Sequence, residues 1–474
     1  MTNLVVEFSD LLQNYIDSPK ILIDAVAIAM SSSCLGSLFN STWTGVYGKP
    51  NVYILLSSIP NRTRRSSIQG AFEYIFSKVY KRDFMEQELA KDENKNPDGN
   101  CKLDDAQLAE LEWNIEKTVE SLLIGEGSKE GIADALVDAS DTNRKYKNTC
   151  TVFNTTEFGD TMKNIFNPNS YEKGVGTILS KMYYGEAHHV RLSRRSSEKK
   201  ERYIPKGLYV TMCVGMQKLE HYLNQDAVAE GLQRRITSVS AKGERHLDPI
   251  NEHRLNYYPE LDALAEKVIE RRKYLKQCLA ENQEMSGWNN TDYIDVMLMT
   301  EVQNAINEVS KIDDENVDEN PSNENIVNQS NWEKLYRISL CYEIANCTKL
   351  MENPHHPKHI MVTMPSLTLA KEFLDKAVKS TEGAYDCIGE KSFQPTNVQS
   401  AEMRMLDIIR RSMPEGITAN KIHNKTGWAN EDIMRVVSSL LIAKKIVTEE
   451  VKKTKPKQVF RLADPNVTVE ESDD

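Results

Sequence analysis

Residues 51–67 read NVYILLSSIPNRTRRSS, and this stretch decides the fold of the first half of the chain. Val52 to Leu56 is a short, uninterrupted apolar run of the kind carried by a strand buried on both faces. Ser57, Ser58, Pro60 and Asn61 end it. A basic turn follows, and then the spacing changes. From Ser66 to Tyr80 (SSIQGAFEYIFSKVY), Ile68, Phe72, Ile75, Phe76 and Val79 recur at helical intervals and share one side. Strand, tight turn and helix in succession predict an α/β core.

The same context suits a phosphate-binding loop of the G-x-x-x-x-G-K-[ST] type. Such a loop works because glycines let backbone N–H groups turn toward phosphates, while a lysine adds charge and a hydroxyl binds Mg²⁺. Placing Arg65-Ser66 on the Lys-Ser/Thr pair puts Ile59 and Arg64 at the glycine positions. Arg65 brings a planar fork in place of a point charge. Ile59 is β-branched where close backbone approach is wanted. The positive charge is kept: Arg62, Arg64 and Arg65, followed by Ser66 and Ser67, favour an anion. A basic surface turn that holds nothing has the same composition.

Thr149 to Asn154 (TCTVFN) reads as a second strand, and Glu157 follows it, where an acid orients water or magnesium in a nucleotide site. Thr156 precedes it where an aspartate is usual, and a solvated glutamate at a strand end is the plain alternative. Leu208 to Val214 (LYVTMCV) is a third strand, with Thr211 or Gln217 as a sensing polar group. GLQRRI sets Arg234 and Arg235 beside a helix end, as fingers reaching across a subunit interface or as dipole caps. Residues 188–202 hold six Lys/Arg between the second and third strands, a basic loop or a DNA-contacting hairpin. His355, His356 and His359 lie among prolines and read as a solvated loop.

The order of these motifs resembles a known family. FSDLLQNYIDSP and AVAIAMSSSCLG come first, then PNVYILLSS and RRSS, IGEGSKEGIADAL, TVFNTTEFGDTMK, YIPKGLYVTMCVGMQKLEHYL and GLQRRI. WEKLYRISLCYEIA and PSLTLAKEFLDKAV follow. The series is similar to the P-loop ATPase-type domain of plasmid, prophage and mobile-element replication proteins, primase–helicase-associated and related to RecA-type and AAA+ motors. The resemblance implies an α/β, P-loop NTPase-like core with ATP and Mg²⁺ at Arg65, Ser66 and Glu157. It also implies Arg234 or Arg235 acting across a homo-oligomer interface. The departures at Ile59, Arg64, Arg65 and Thr156 predict weak or absent hydrolysis. Two readings stay open: a helicase-related DNA-binding ATPase of replication or mobile-element maintenance, and an inactive scaffold serving as a DNA-binding regulator or replication accessory.

The organisation expected is a helical segment over 1–45, the core over 46–258, and a helical segment over 259–385. Residues 86–105 read as an exposed loop, 260–310 and 331–353 as helical, and 311–330 as a disordered acidic loop. Residues 400–464 read as three helices and a hairpin, a winged helix-turn-helix, before an acidic tail at 465–474. Ile433, Val436, Val437, Leu440 and Leu441 mark the core side of its third helix. Residues 401–463 hold thirteen Lys/Arg against seven Asp/Glu, a net of about +6. Lys452, Lys453, Lys455 and Lys457 would straddle the phosphates of duplex DNA, with Asn430 and Arg435 toward a major groove. A protein-contact role for the same module is the rival reading.

Composition bounds the rest. The 474 residues are 40% hydrophobic and 27% charged, which is ordinary for a globular chain. The net charge of −11 excludes a bulk polyanion binder, so any nucleic-acid surface is local. Eight cysteines without a CxxC read as free thiols in a reducing compartment. With no run of about 18 apolar residues and no signal-like start in MTNLVVEFSD, a cytoplasmic location without a membrane span is expected.

Overall fold

The chain begins with two helices, α1 (Leu4–Tyr15) and α2 (Lys20–Leu35). The Asn3 side chain caps α1 by accepting from Val5 N at 3.0 Å. Next come β1 (Phe39–Asn40), β2 (Tyr53–Ser58), α3 (Arg65–Leu89), α4 (Asp105–Glu120), β3 (Leu123–Ile124), α5 (Lys129–Tyr146) and β4 (Thr151–Thr155). They are followed by α6 (Gly159–Asn164), α7 (Val175–Tyr183), the hairpin β5 (His188–Arg191) and β6 (Glu201–Ile204), β7 (Val210–Met216), α8 (Leu232–Arg235) and β8 (Ile236–Ala241). Then come α9 (Tyr257–Glu284), β9 (Ile294–Leu298), α10 (Thr300–Glu315), α11 (Asn331–Asn346), β10 (Met351–Asn353), β11 (His356–Val362) and α12 (Met364–Thr381). The last elements are α13 (Ala419–Thr426), α14 (Asn430–Ile442), β12 (Ile446–Val451) and β13 (Lys457–Leu462). This computed structural model describes residues 3–41, 48–59, 63–96, 98, 101–165, 174–191, 201–217, 219, 232–241, 257–284, 292–315, 330–353, 356–382, 405–406, 408–410, 412, 417–426, 430–442, 445–451 and 457–462. Contacts divide the chain into Met1–Ile388 and Gly389–Asp474.

A five-stranded parallel sheet organises the larger unit, in the order β3-β4-β7-β2-β8. β2 lies inside it and is buried throughout, as its unbroken apolar run predicted. Its residues alternate between two cores. Ile54 and Leu56, with Val52 just before the strand, pack with α1, α2, α3 and α9, while Tyr53 and Leu55 pack with α5 and α7. Helices on both faces make this a mixed α/β fold. The first of these cores runs through residues of the 1–45, 46–258 and 259–385 segments alike. Lys20–Leu38 is long and apolar enough to cross a membrane by length and composition, yet 89% of that window is buried inside the fold. α2 is therefore a core helix.

Three expectations need correction. The stretch 86–105 is not all loop: α3 continues to Leu89, because Phe84 stacks on Tyr146 at 3.9 Å between centroids and Glu88 is buried. The 260–310 and 331–353 segments are not wholly helical, for β9, β10 and β11 form a second sheet with β1, in the order β1-β9-β11-β10. Short runs such as IDVML fit either period, and Pro357 with its histidines disguised β11. Residues 311–315 belong to α10, while 316–329 lie outside the described residues.

Glu88 gives this region a pH dependence. Burial would raise its carboxyl, but Lys91, Lys145 (2.9 Å) and Tyr146 (2.7 Å) together hold it down to about 2 from 4.5. A depressed folded value means stability that is complete above pH 4.5 and lost as the pH falls toward 2. With both lysines partly exposed, the contribution is on the order of 2 kcal/mol. Glu88→Gln should lower the Tm at pH 7, and the gap to wild type should close by pH 2–3 in thermal melts.

In the smaller unit, Met405, Leu406, Ile409, Ile417, Ile422, Ile433, Val436, Val437, Leu440, Ile446 and Phe460 form one core. Ile417 bridges to Phe460, and β12 and β13 pair antiparallel. Leu441 is the exception to the expected core face, since it is exposed.

Candidate functional site

The carboxyl ends of β2, β4 and β7 meet the first turn of α3, and parallel α/β sheets hold ligands at such ends. Arg65 is the first residue of α3, and its side chain points inward with only 10% exposure. Its Nη1 donates to the Leu56 carbonyl at 3.4 Å, to Ser58 Oγ at 3.5 Å and to the Met216 carbonyl. Its Nη2 donates to the Thr156 carbonyl and lies 3.8 Å from Glu157 Oε1. One guanidinium thus ties together the ends of three neighbouring strands. Gly215 makes this possible: a Cβ there would collide with Arg65 Nε.

Arg64 immediately precedes α3 and adopts φ 45°, ψ 34°. That is the left-handed region, costing an L-residue about 1–2 kcal/mol. It is also the position where the phosphate-loop pattern has its second glycine, so the backbone keeps the turn although the residue has changed. Ser66 and Ser67 are exposed on the first turn, and Arg64 at the cap position makes no side-chain hydrogen bond to that end of the helix. Thr63 is buried and bonds Ser58 Oγ at 2.8 Å, fixing the entry to the turn. Arg62 lies outside the described residues.

No protein-family model and no curated protein matches this chain. The site is therefore read from its own chemistry. A phosphate fits the first turn of α3, where the Arg64, Ser66 and Ser67 side chains face solvent. Mg²⁺ does not fit the arrangement as it stands. Glu157 is 69% exposed, and its one ion-pair partner among the described residues is the cation Arg65, where a metal would need the carboxylate.

The structure brings Arg64, Arg65, Ser66, Ser67 and Glu157 together. It does not bring Arg234 and Arg235 to them. Both are in α8, which leads into the amino end of β8, and β8 runs parallel to β2. They therefore lie at the opposite end of the sheet, and Arg235 packs over the Tyr184 ring at 4.9 Å. Thr211 is buried in β7 against Ser32 Oγ at 2.8 Å, away from the strand ends. Gln217 is at the strand end, where its carbonyl accepts from Ser57 Oγ at 2.6 Å.

Sequence reasoning missed Gln69. One helical turn beyond Arg65, it donates to Asn154 Oδ1 (3.1 Å) and to the carbonyls of Thr155 (3.1 Å) and Cys213 (3.0 Å). The signal was its place at i+4 from Arg65, on the same side of the helix. Glu126 was also missed. It accepts from Thr155 Oγ1 at 3.3 Å and adds a second carboxylate near the end of β4.

Among the described residues, no cluster of His, Cys, Asp or Glu could hold a metal. Of the candidate DNA contacts, Asn430 opens α14, Arg435 lies within it, and Lys457 begins β13. Lys452, Lys453 and Lys455 lie outside the described residues.

Proposed function

We propose that the larger unit is a degenerate relative of the RecA-type and AAA+ ATPase cores, binding nucleotide phosphates at the first turn of α3 without efficient hydrolysis. In the same proposal the smaller unit is a winged helix that grips duplex DNA, and the protein acts in the cytoplasm as an accessory of replication or mobile-element maintenance. The observation that carries the nucleotide reading is Arg65. It stands at the lysine position of the motif, yet its guanidinium is spent on the Leu56, Thr156 and Met216 carbonyls and on Glu157. On this reading Glu157 is drawn toward Arg65 and away from orienting water or holding magnesium. The strand order supports the ancestry, because one strand, β7, separates the strand feeding the turn from the strand bearing the acid. This is similar to the RecA and AAA+ arrangement. Any finger role for Arg234 or Arg235 needs a second copy, given their place at the far end of the sheet.

ATP turnover by the full chain, with and without duplex and single-stranded DNA, tests this reading. The expected result is no DNA-stimulated hydrolysis above that of Glu157→Gln. Stimulated turnover that Glu157→Gln abolishes would establish a working motor instead.

One observation favours a second use of the smaller unit. The exposed positions described on α14 include Met434, Ser438 and Leu441, and Val447 of β12 is exposed as well. Exposed apolar side chains suit a protein partner better than a phosphate backbone. On that reading, neutralising Lys452, Lys453, Lys455 and Lys457 leaves DNA affinity unchanged. On the DNA reading, it weakens binding and flattens the salt dependence.

A further inference from the structure

Between α1, α3 and the start of α9 lies a cavity of about 500 Å³, within the usual range for small-molecule sites. Tyrosines wall it. Ring centroids of Tyr15 and Tyr257 are 5.4 Å apart, those of Tyr257 and Tyr258 5.2 Å, and those of Tyr258 and Tyr74 6.0 Å. Two of the rings are held in place by carboxylates: Tyr15 Oη donates to Glu260 at 2.7 Å, and Tyr74 Oη donates to Asp262, itself paired with Lys78, at 2.5 Å. Tyr258 is 62% exposed, so its aromatic surface remains open to a ligand. Gly70 of α3 also lines the cavity, and a Cβ built there meets nothing within 4 Å. The space beside it is open.

The other end of the cavity is cationic. Arg64 and Ser67 line it, and both belong to the start of α3. From Arg64 to Tyr74 is about 15 Å at the rise of an α-helix. Aromatic faces at one end, and a cation with a serine hydroxyl at the other, match the two ends of a nucleotide.

We propose that this cavity takes the base of a nucleotide whose phosphates extend toward Arg64. The orientation rests on the phosphate reading of the α3 turn, whereas the base site stands on the tyrosines. The two are separable by giving the full chain each half of the ligand: adenosine, followed by saturation-transfer NMR, and inorganic triphosphate, followed by calorimetry.

The expected result is that adenosine binds, with transfer strongest to its base protons. Gly70→Phe, a side chain grown into open space, should weaken adenosine at least about tenfold while the Tm is held. Tyr258→Ala, at an exposed position that folding does not need, should weaken it about tenfold through lost stacking. Triphosphate binding without adenosine binding, or adenosine binding indifferent to both substitutions, overturns the base site and leaves the phosphate reading standing. Adenosine binding with these sensitivities but no triphosphate binding supports the base site and removes the phosphate reading. Binding of neither removes both.

Discussion

Arg337→Ala should cost on the order of 3–5 kcal/mol. Arg337 lies in α11 and is buried, with its guanidinium 4.0 Å from the centroid of the Tyr183 ring. Nε and Nη2 donate to Glu333 Oε1 at 3.1 and 2.8 Å. Nη1 donates to the Lys49 carbonyl at 2.8 Å, to the Asn51 carbonyl at 3.3 Å and to Asn51 Oδ1. Asn51 in turn donates to the carbonyls of Tyr183 and Val210, each at 3.1 Å, just ahead of β2. Alanine would leave the buried Glu333 carboxylate without its cation, held by the Tyr184 hydroxyl at 3.1 Å, and would strand two backbone carbonyls. Lysine keeps the charge without the fork and should lose roughly half as much. Urea unfolding reads both, as a fall in midpoint at constant m-value. A loss under about 1 kcal/mol for Arg337→Ala would mean that the pair is solvated.

Arg65→Ala should cost roughly 2–4 kcal/mol, because hydrogen bonds from a charged donor to three strand-end carbonyls are lost together. Gly215→Ala should cost a comparable amount by a different route, its Cβ expelling the guanidinium. The two losses should not add. Once Arg65 is alanine, the space beside Gly215 is open, and Gly215→Ala should be near neutral in that background. A double-mutant cycle by urea unfolding measures this, with a coupling of about 2 kcal/mol expected. Strict additivity would show that the guanidinium does not occupy the strand ends.

The elements that sequence rules found are those with one clear period. The unbroken VYILL run, the Ile68–Phe72–Ile75–Phe76–Val79 stripe and the apolar α2 all appear where expected. What escaped was set by partners distant in sequence. β9 pairs with β1 and β11, each more than sixty residues away, and IDVML alone does not announce a strand. Arg272 and Arg337 are buried although arginines usually face water. Each is held by backbone carbonyls that only the fold assembles, Cys34 and Asn148 for Arg272, Lys49 and Asn51 for Arg337. The basic turn was legible as an anion-favouring feature, and its residues do meet Glu157. Its internal logic was not legible. The pattern marks Arg64 and Arg65 as departures, but it does not say that Arg64 would keep a glycine's backbone angles while Arg65 turned inward. Nor does one sequence show that Tyr15, Tyr74, Tyr257 and Tyr258 converge, since they come from three separate helices.

The inward turn of Arg65 also sets the chemistry. A phosphate arriving at Ser66 and Ser67 meets Arg64 and the helix N–H groups, while the only acid paired with the core cation is Glu157 among the described residues. On the proposed reading, binding and hydrolysis are separated, the first served by exposed groups while Glu157 is drawn to Arg65. The most direct test is calorimetric titration of ATP with Mg²⁺ into the full chain, followed by analysis of the nucleotide recovered from the complex. The account predicts saturable binding with ATP recovered intact. No binding at millimolar ATP, or recovery of ADP that Glu157→Gln prevents, would contradict it.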